Sequence, residues 1–167
     1  MYRLVLWPLV GSLVFLQQDS SQPFDVSSES SLYAVRGRLS GTVQVQPEQV
    51  RVVVRSGSVL SVVSDPRIQL RAAIAAGTQK GWRKVAESEP QLLGSFDAGQ
   101  RRELTDSIVF TVRIPSDAKP EQHWLVFQFG RADGSTTYAC SARNLAGPDS
   151  LSARRAEQLR AFYPLAC

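Results

Sequence analysis

Residues 67–74, RIQLRAAI, and residues 107–114, SIVFTVRI, alternate apolar side chains with largely polar ones. Such a period of two is typical of a β-strand with one face in a core and the other in water. Residues 50–54 repeat the pattern through their alternate valines. Residues 124–129, WLVFQF, are apolar on both faces and predict a central strand that is covered on both sides. These four stretches indicate an all-β fold.

Turn signals divide the body of the chain into short strands. Ser-Gly pairs at residues 40–41 and 56–57 each predict a tight turn between two strands. Residues 87–102, which contain proline and glycine, predict a long connection. About seven to nine strands then fall within residues 32–140, which favours an antiparallel β-sandwich of immunoglobulin-like architecture. A small β-barrel is the alternative fold.

The amino terminus has the layout of an export segment. Arg3 gives a positive start, and residues 4–16 follow as a run without charge. A helix of this length reaches about 20 Å, which is short of the roughly 30 Å hydrocarbon core of a membrane. We therefore expect residues 1–22 to be a signal peptide or a short membrane anchor, and either form exports the rest of the chain. Residues 23–31, rich in serine, predict a polar spacer.

The carboxy-terminal residues 141–167 predict a short helical tail. Leu151, Leu159 and Phe162 fall near one face of a helix over residues 150–163. A helix this short is not stable alone, so we expect it to pack on the sheet.

The two cysteines of the chain are Cys140, at the end of the predicted last strand, and Cys167, the final residue. An even pair in an exported protein is most simply one disulfide. This bond is predicted to tie the tail back to the sheet, and on the chain-entropy argument it contributes about 3–4 kcal/mol.

The positive charge of the chain comes almost wholly from arginine. Sixteen of the 19 basic residues are arginines, and the formal net charge is +4. Arginine binds phosphate and carboxylate through its planar fork, but its abundance also fits a GC-rich coding bias. The arginines are scattered along the sequence. The net charge by itself therefore bears on solubility and does not identify a binding partner.

One local cluster has the character of a binding site. Lys80, Arg83 and Lys84 surround Trp82, and three cations around an aromatic ring can hold an acidic glycan, a phosphate or an anionic surface. The alternative interpretation is a solvated turn whose tryptophan packs on the sheet. No basic helix or paired aromatic motif accompanies the cluster, which argues against nucleic-acid recognition.

This sequence has few candidate catalytic residues. His123 is the single histidine, and no G-x-S-x-G motif accompanies it. Zinc held by several imidazoles is excluded by that count, and no phosphate-binding loop or EF-hand motif is present. We therefore expect no nucleotide, metal or other cofactor. The carboxylates that a hydrolase could bring together in space are Glu87, Glu89, Asp97, Asp106 and Asp117.

The sequence thus favours an exported, non-catalytic binding or accessory module of the bacterial cell envelope, in the periplasm or outside the cell. Its partner is expected to be a protein, an acidic glycan or an anionic surface. A membrane contact is expected only through residues 1–22, if they are retained. Two alternatives stay open, namely a carboxylate-based hydrolase of the envelope and a membrane-tethered subunit of a larger complex.

Overall fold

The computed structural model describes residues 21–28, 34–78, 81–132 and 137–146, which are almost entirely β-structure. This part of the chain contains one 3₁₀ turn, Pro120–Gln122, and ten strands. The strands are β1 Gln22–Ser28, β2 Val35–Gln46, β3 Gln49–Ser61, β4 Asp65–Thr78, β5 Gly81–Glu87, β6 Gln91–Phe96, β7 Arg101–Leu104, β8 Ile108–Arg113, β9 His123–Arg131 and β10 Thr137–Asn144. They form two antiparallel sheets, so the all-β prediction is confirmed.

The first sheet, sheet A, is built around the long strand β3. On one side β3 pairs with β2, and β1 pairs with the far edge of β2. On its other side β3 carries two strands in succession, because β8 pairs with residues 49–54 and β7 with residues 57–60. At 13 residues, β3 extends roughly 40 Å at 3.3 Å per residue, which is long enough to serve both.

The second sheet, sheet B, repeats this plan around β4. On one side β4 pairs with β9, and β10 pairs with the far edge of β9. On its other side β4 carries β6 along residues 65–70 and β5 along residues 73–78. Each sheet therefore has one long central strand that holds two short strands at one edge.

The two sheets pack on each other through a shared apolar core. Phe24 of sheet A and Phe127 of sheet B lie with ring centroids 5.2 Å apart. At Gly37 in β2, an added Cβ would lie 2.6 Å from Cζ of Phe129 in β9, so the missing side chain makes room for that ring. Most residues on the apolar sides of the alternating stretches are at most 2% exposed, namely Val50, Val52, Val54, Ile68, Leu70, Ala72, Ile74, Phe110 and Val112.

The doubly apolar stretch of residues 124–129 is a central strand, as its sequence predicts. Leu125, Phe127 and Phe129 belong to the core cluster. Trp124 and Val126, which alternate with them and so point to the other side of β9, are at most 1% exposed. Both faces of this strand are therefore shielded from water.

The outward side of β4 is buried next to that tryptophan. Ala73 pairs with Val126 and Ala75 pairs with Trp124, and both alanines are at most 1% exposed. Since Ala72 and Ile74 belong to the core cluster, the two alanines lie on the outer face of sheet B. A patch of this outer face is thus as inaccessible to solvent as the core.

The two Ser-Gly turns predicted from the sequence are wrong. Residues 40–41 lie inside β2 and residues 56–57 inside β3, and the real turn between these strands is at residues 47–48. The register instead shifts beside Gly41, where an added Cβ would lie 1.9 Å from the backbone oxygen of Val53. Glycine inside a strand often marks a bulge or a close backbone approach and not a turn.

Other boundaries differ from the sequence prediction as well. Part of the predicted spacer 23–31 is strand β1, in which Phe24 and Val26 are buried. The predicted connection 87–102 contains β6 and the first residues of β7. The last strand runs on to Asn144, into the predicted tail. In each case pairing with a neighbouring strand extends the β-structure into a stretch that has few apolar residues.

Some sequence predictions fall outside the described residues. These are the export segment up to residue 20, the helix over residues 150–163 and Cys167. They stay predictions.

Candidate functional site

The predicted cluster around Trp82 is divided between described and undescribed residues. Lys80 and the side chain of Trp82 lie outside what the structure describes. Arg83 and Lys84 lie in β5 with exposed side chains. The Lys84 ammonium lies 2.7 Å from the Glu87 carboxylate, so one of the cluster's positive charges already has a partner of opposite sign.

Glu87 is an ion-paired carboxylate and does not have the properties of a catalytic acid. Besides Lys84, it contacts the Arg71 guanidinium at 3.2 Å. The hydrogen bond from Lys84 lowers the pKa of the Glu87 carboxyl against the opposing effect of burial, and the charge of Arg71 adds to the lowering. A carboxyl held ionised in this way is a poor proton donor at neutral pH.

The other carboxylates that were candidates for the alternative hydrolase function are all exposed; they are Glu89, Asp97, Asp106 and Asp117. No group of three or more His, Cys, Asp or Glu side chains within the described ranges could hold a metal ion.

Asp65 is a buried aspartate that the sequence analysis did not single out. Its side chain is 2% exposed, and its carboxylate lies 2.9 Å from Nε of Arg131 and accepts a hydrogen bond of 3.0 Å from the backbone N–H of Arg67. The aspartate directly precedes Pro66. It lies at the start of β4, where its ion pair with Arg131 links β4 to β9.

His123 closes the 3₁₀ turn before β9. Its backbone N–H donates to the carbonyl of Pro120, and its ring Nδ1 lies 2.7 Å from the carbonyl oxygen of Lys119. Because a carbonyl oxygen only accepts, Nδ1 is the donor in this contact. The side chain is half-buried, and these bonds give it a structural role at the strand start.

The predicted disulfide is not resolved by the described residues. Cys140 lies in β10, at the register position opposite Gln128, and Cys167 lies outside the described part of the chain. The pairing stays a prediction.

Among the described residues, several arginines are brought together on the outer face of sheet A. Because core-facing and outward residues alternate along each strand, the register places a set of five arginines on this one face, with Asp25 and Glu103 as the carboxylates of the same strands. The five are Arg36, Arg38, Arg51, Arg101 and Arg113. The sequence shows four of these arginines at polar positions of predicted strands and places Arg101 in a predicted connection, and it does not show which strands are neighbours.

The arginines of this face differ in how they are paired. Arg38 makes a two-point contact with Asp25, at 3.0 Å from Nε and 2.6 Å from Nη2. Arg51 and Arg113 are exposed, and neither has a carboxylate within 4.0 Å among the described residues. Two guanidinium groups near the β2–β3 turn are thus open to an external anion.

A cleft of about 210 Å³ lies at the other end of the face. Arg36, Leu60 and Arg101 occupy one register row across β2, β3 and β7. The two arginines line the cleft, with Leu60 and Ser58 between them. Nη1 of Arg101 lies 3.4 Å from Oγ of Ser58. Two cations and a hydroxyl thus surround one open space.

No protein-family model matches this chain, and no curated protein is significantly similar to it. Within the described ranges, no helix has the length and apolar character needed to span a membrane.

Proposed function

We propose that this chain is a non-catalytic binding module of β-sandwich, immunoglobulin-like architecture that holds an acidic polysaccharide on the outer face of sheet A. The observation that carries the proposal is the gathering of five arginines from four strands on one face that has two carboxylates. These arginines are scattered along the sequence, and the strand register places them on the same face. A positively charged face attracts a negatively charged partner.

The layout of the face favours an extended polymer. Arg36 lies near one end of β2, and Arg113 pairs with Gln49 at the other end, which is roughly 30 Å away at 3.3 Å per residue. A polymer with a repeating negative charge can contact both ends at once, and each added contact raises the effective concentration for the next.

The side chains between the two basic ends suit a sugar. They carry hydroxyl and amide groups that can bind hydroxyls, on Ser40, Thr42, Gln44 and Ser56, whose register places them on this face. Val109, which is 50% exposed, adds an apolar spot in the same register row as Thr42. Apolar patches beside polar groups fit the mixed faces of a pyranose ring.

The proposal includes a location outside the cytoplasm, in the periplasm or at the surface of a bacterial cell. The support is the positive start and uncharged run of residues 1–16, which has the layout of an export segment. A retained amino-terminal segment makes the module a membrane-tethered one, with the same binding face.

Retention on immobilised heparin, a sulfated polysaccharide, tests the proposed face. We compare the double variant Arg51→Gln/Arg113→Gln with the matched control Arg83→Gln/Lys84→Gln, which removes the same charge from β5 on sheet B. The sheet A variant should elute at clearly lower salt than the unmodified chain, because surface electrostatics is screened by salt. The β5 variant should elute nearly unchanged. Equal loss in both variants, or loss only in the β5 variant, contradicts the proposal.

A further inference from the structure

We infer that a second copy of this chain pairs with the open edge of β8. The two β8 strands lie antiparallel about a twofold axis through Thr111, so that two copies of sheet A become one continuous sheet. The pairing depends on β8 alone and not on the proposed function. What rests on the proposed function is the effect of the ligand, since an acidic polysaccharide that lies across both basic faces strengthens the pair.

The register shows which backbone groups of β8 face away from β3. The backbone N–H of Ile114 donates to the carbonyl of Glu48 at 3.0 Å, one row beyond Arg113. Residues that bond to the neighbouring strand alternate with residues that do not, so Val109, Thr111 and Arg113 turn their N–H and C=O groups to the open side. Among the described residues, β3 is the one strand that pairs with β8.

β8 lacks the features that protect other edge strands of the two sheets. Natural sheets block their edges with proline, lysine, bulges or very short strands. β1 contains Pro23 and β7 has four residues, while β6 contains Gly94 at φ +95° and has register shifts. The pairing of β5 and that of β10 also include register shifts. β8 pairs over six residues without a shift and contains no proline, glycine or lysine.

The side chains along this edge are open to solvent. Val109 is 50% exposed, and Thr111 and Arg113 are exposed as well. Unpaired backbone groups beside an exposed apolar side chain are the arrangement to which a further strand adds.

The sequence of β8 is compatible with an antiparallel copy of itself. With the axis at Thr111, each Thr111 faces the partner's Thr111, and Val109 faces the partner's Arg113. On the core side, Phe110 faces the partner's Val112. No like charges lie directly opposite each other, and apolar side chains continue the buried row. The outward backbone groups of three residues from each copy then form about six hydrogen bonds.

This symmetry places the basic faces of both copies on the same side of the joined sheet, because directly opposed residues of an antiparallel pair point to one face. Arg51 lies in the row of Thr111, so it is three strand spacings, roughly 14 Å, from the partner's Arg51. Salt at about 0.1 M largely screens exposed charges at that distance. A polyanion that contacts both faces links the two copies.

One strand from each copy makes a small interface. Specific, stable interfaces bury about 1,200–2,000 Å², which is more than six residues of β8 supply by themselves. We therefore expect a reversible dimer of low affinity. A ligand that binds the dimer better than the monomer raises that affinity by mass action.

Sedimentation velocity of the full chain over a wide range of concentrations, with and without a heparin oligosaccharide, tests the pairing. We expect a reversible monomer–dimer equilibrium that the oligosaccharide shifts towards the dimer. In hydrogen exchange, the amides of Val109, Thr111 and Arg113 should become protected as the dimer forms. A chain that is monomeric under all these conditions overturns the inference, and so does a dimer in which these amides exchange as in the monomer.

Variants at the axis make the assignment specific. Thr111→Pro removes the central outward N–H from each copy without removing a bond to β3, and it should weaken dimerisation roughly tenfold. Thr111→Ser keeps that N–H and should dimerise as the unmodified chain does. If the proline variant fails to fold, Thr111→Lys places like charges opposite each other across the axis and should also weaken the dimer.

Thr42→Lys is the matched control for the lysine variant. It adds the same charge to the same face, because Thr42 lies in β2 in the row of Val109, but it is two strands away from the open edge. This variant should dimerise nearly as the unmodified chain does. Equal weakening by both lysine substitutions, or unchanged dimerisation of a folded Thr111→Lys, overturns the pairing at β8.

The result is separable from the heparin experiment. A dimer that depends on Thr111, together with heparin retention that ignores Arg51 and Arg113, supports the pairing and contradicts the polysaccharide face. Heparin retention that depends on Arg51 and Arg113 in a chain that stays monomeric supports the face and contradicts the pairing. A dimer that binds the oligosaccharide without being strengthened by it contradicts the shared use of the two faces.

Discussion

The guanidinium of Arg102 lies over the ring of Phe96, 4.1 Å from the ring centroid. Arg102 belongs to β7 of sheet A and Phe96 to β6 of sheet B. The same guanidinium donates to the carbonyl oxygens of Leu93 at 2.5 Å and of Ser95 at 2.7 Å. One side chain therefore joins the two sheets along one open side of the fold.

Arg102→Met is expected to destabilise the fold by about 1–3 kcal/mol, because the change leaves two carbonyl oxygens without their charged donor and removes the cation above the ring. Chemical denaturation measures the change in the free energy of unfolding. The neighbouring exposed Arg101→Met is the control, expected within about 0.5 kcal/mol of the unmodified chain. An equal loss in both variants contradicts a specific role for Arg102.

A second arginine, Arg143, also joins the two sheets, at the opposite edge of the fold from Arg102. Arg143 of β10 donates through Nη1 to the carbonyl of Pro23 in β1, and its Nη2 lies 3.1 Å from Oε1 of Gln22. Burial lowers the pKa of the Arg143 guanidinium from its ordinary value. Sheet B is thus tied to the β1 edge of sheet A.

We predict that Arg143→Met destabilises the fold to a similar degree and that its effect adds to that of Arg102→Met. The two residues lie at opposite edges of the sheets, roughly three strand spacings apart, and distant sites are additive within about 0.5 kcal/mol. A double variant measured by chemical denaturation checks this sum. Strong non-additivity contradicts two independent contacts. Hydrogen exchange in β1 should rise in the Arg143 variant alone.

Asp25 opposes the basic character of the sheet A face, so Asp25→Asn should strengthen retention on heparin. The change adds one net positive charge beside Arg38. Elution at higher salt than the unmodified chain is the expected result, and elution at the same or lower salt contradicts it. Glu89→Gln, an exposed change of equal charge outside this face, is the control and should have less effect.

The Asp25–Arg38 pair should also give a small stability difference that depends on pH. The hydrogen bond from Arg38 lowers the pKa of the Asp25 carboxyl from 3.8 against the opposing effect of desolvation. A lowered folded-state pKa contributes stability above the unfolded value, and this contribution is lost as the pH falls through the folded value. Both side chains are more than half exposed, so the contribution is at most about 1 kcal/mol.

Denaturation of the unmodified chain and of Asp25→Asn at several pH values checks that sign. The two should differ most near neutral pH and converge well below pH 3.8. A difference that grows on acidification contradicts the assigned cause.

Gly41→Ala is expected to be severely destabilising, by about 3 kcal/mol, because its Cβ would lie 1.9 Å from the backbone oxygen of Val53. Gly99→Ala is the matched control. Gly99 has φ +80° but no atom within 4 Å of an added Cβ, so its cost is the backbone strain alone, about 1–2 kcal/mol. Thermal unfolding of both variants should rank them in this order, and the reverse order contradicts the close approach.

The predicted tail provides a test at the outer face of sheet B, where Trp124 and Val126 are buried on the side away from the core. If the tail packs on the sheet through its apolar side, Leu159→Ser/Phe162→Ser should lower the free energy of unfolding by several kcal/mol. Arg155→Ser, on the polar side of the predicted helix, should change little. Equal stability of the three proteins contradicts the predicted packing.

The all-β class, the buried sides of the strands and the central position of residues 124–129 could all be predicted from the sequence alone. These features depend on the period of two, which is a local property: a residue and its second neighbour face the same side whatever the strand pairs with. A second local signal, turn composition, was wrong for the Ser-Gly pairs, because a bulge inside a long strand and a turn between two short strands can have the same composition.

Which polar sides share a face depends on the tertiary structure. Arg36, Arg51 and Arg101 are far apart along the chain, and they lie on one surface because β3 pairs with β2 on one side and with β7 and β8 on the other. Strand pairing depends on residues that are distant in the sequence, because it is determined by the burial of both sheets against a common core. The sequence therefore contained the arginines of the proposed binding face, but only the fold gathers them.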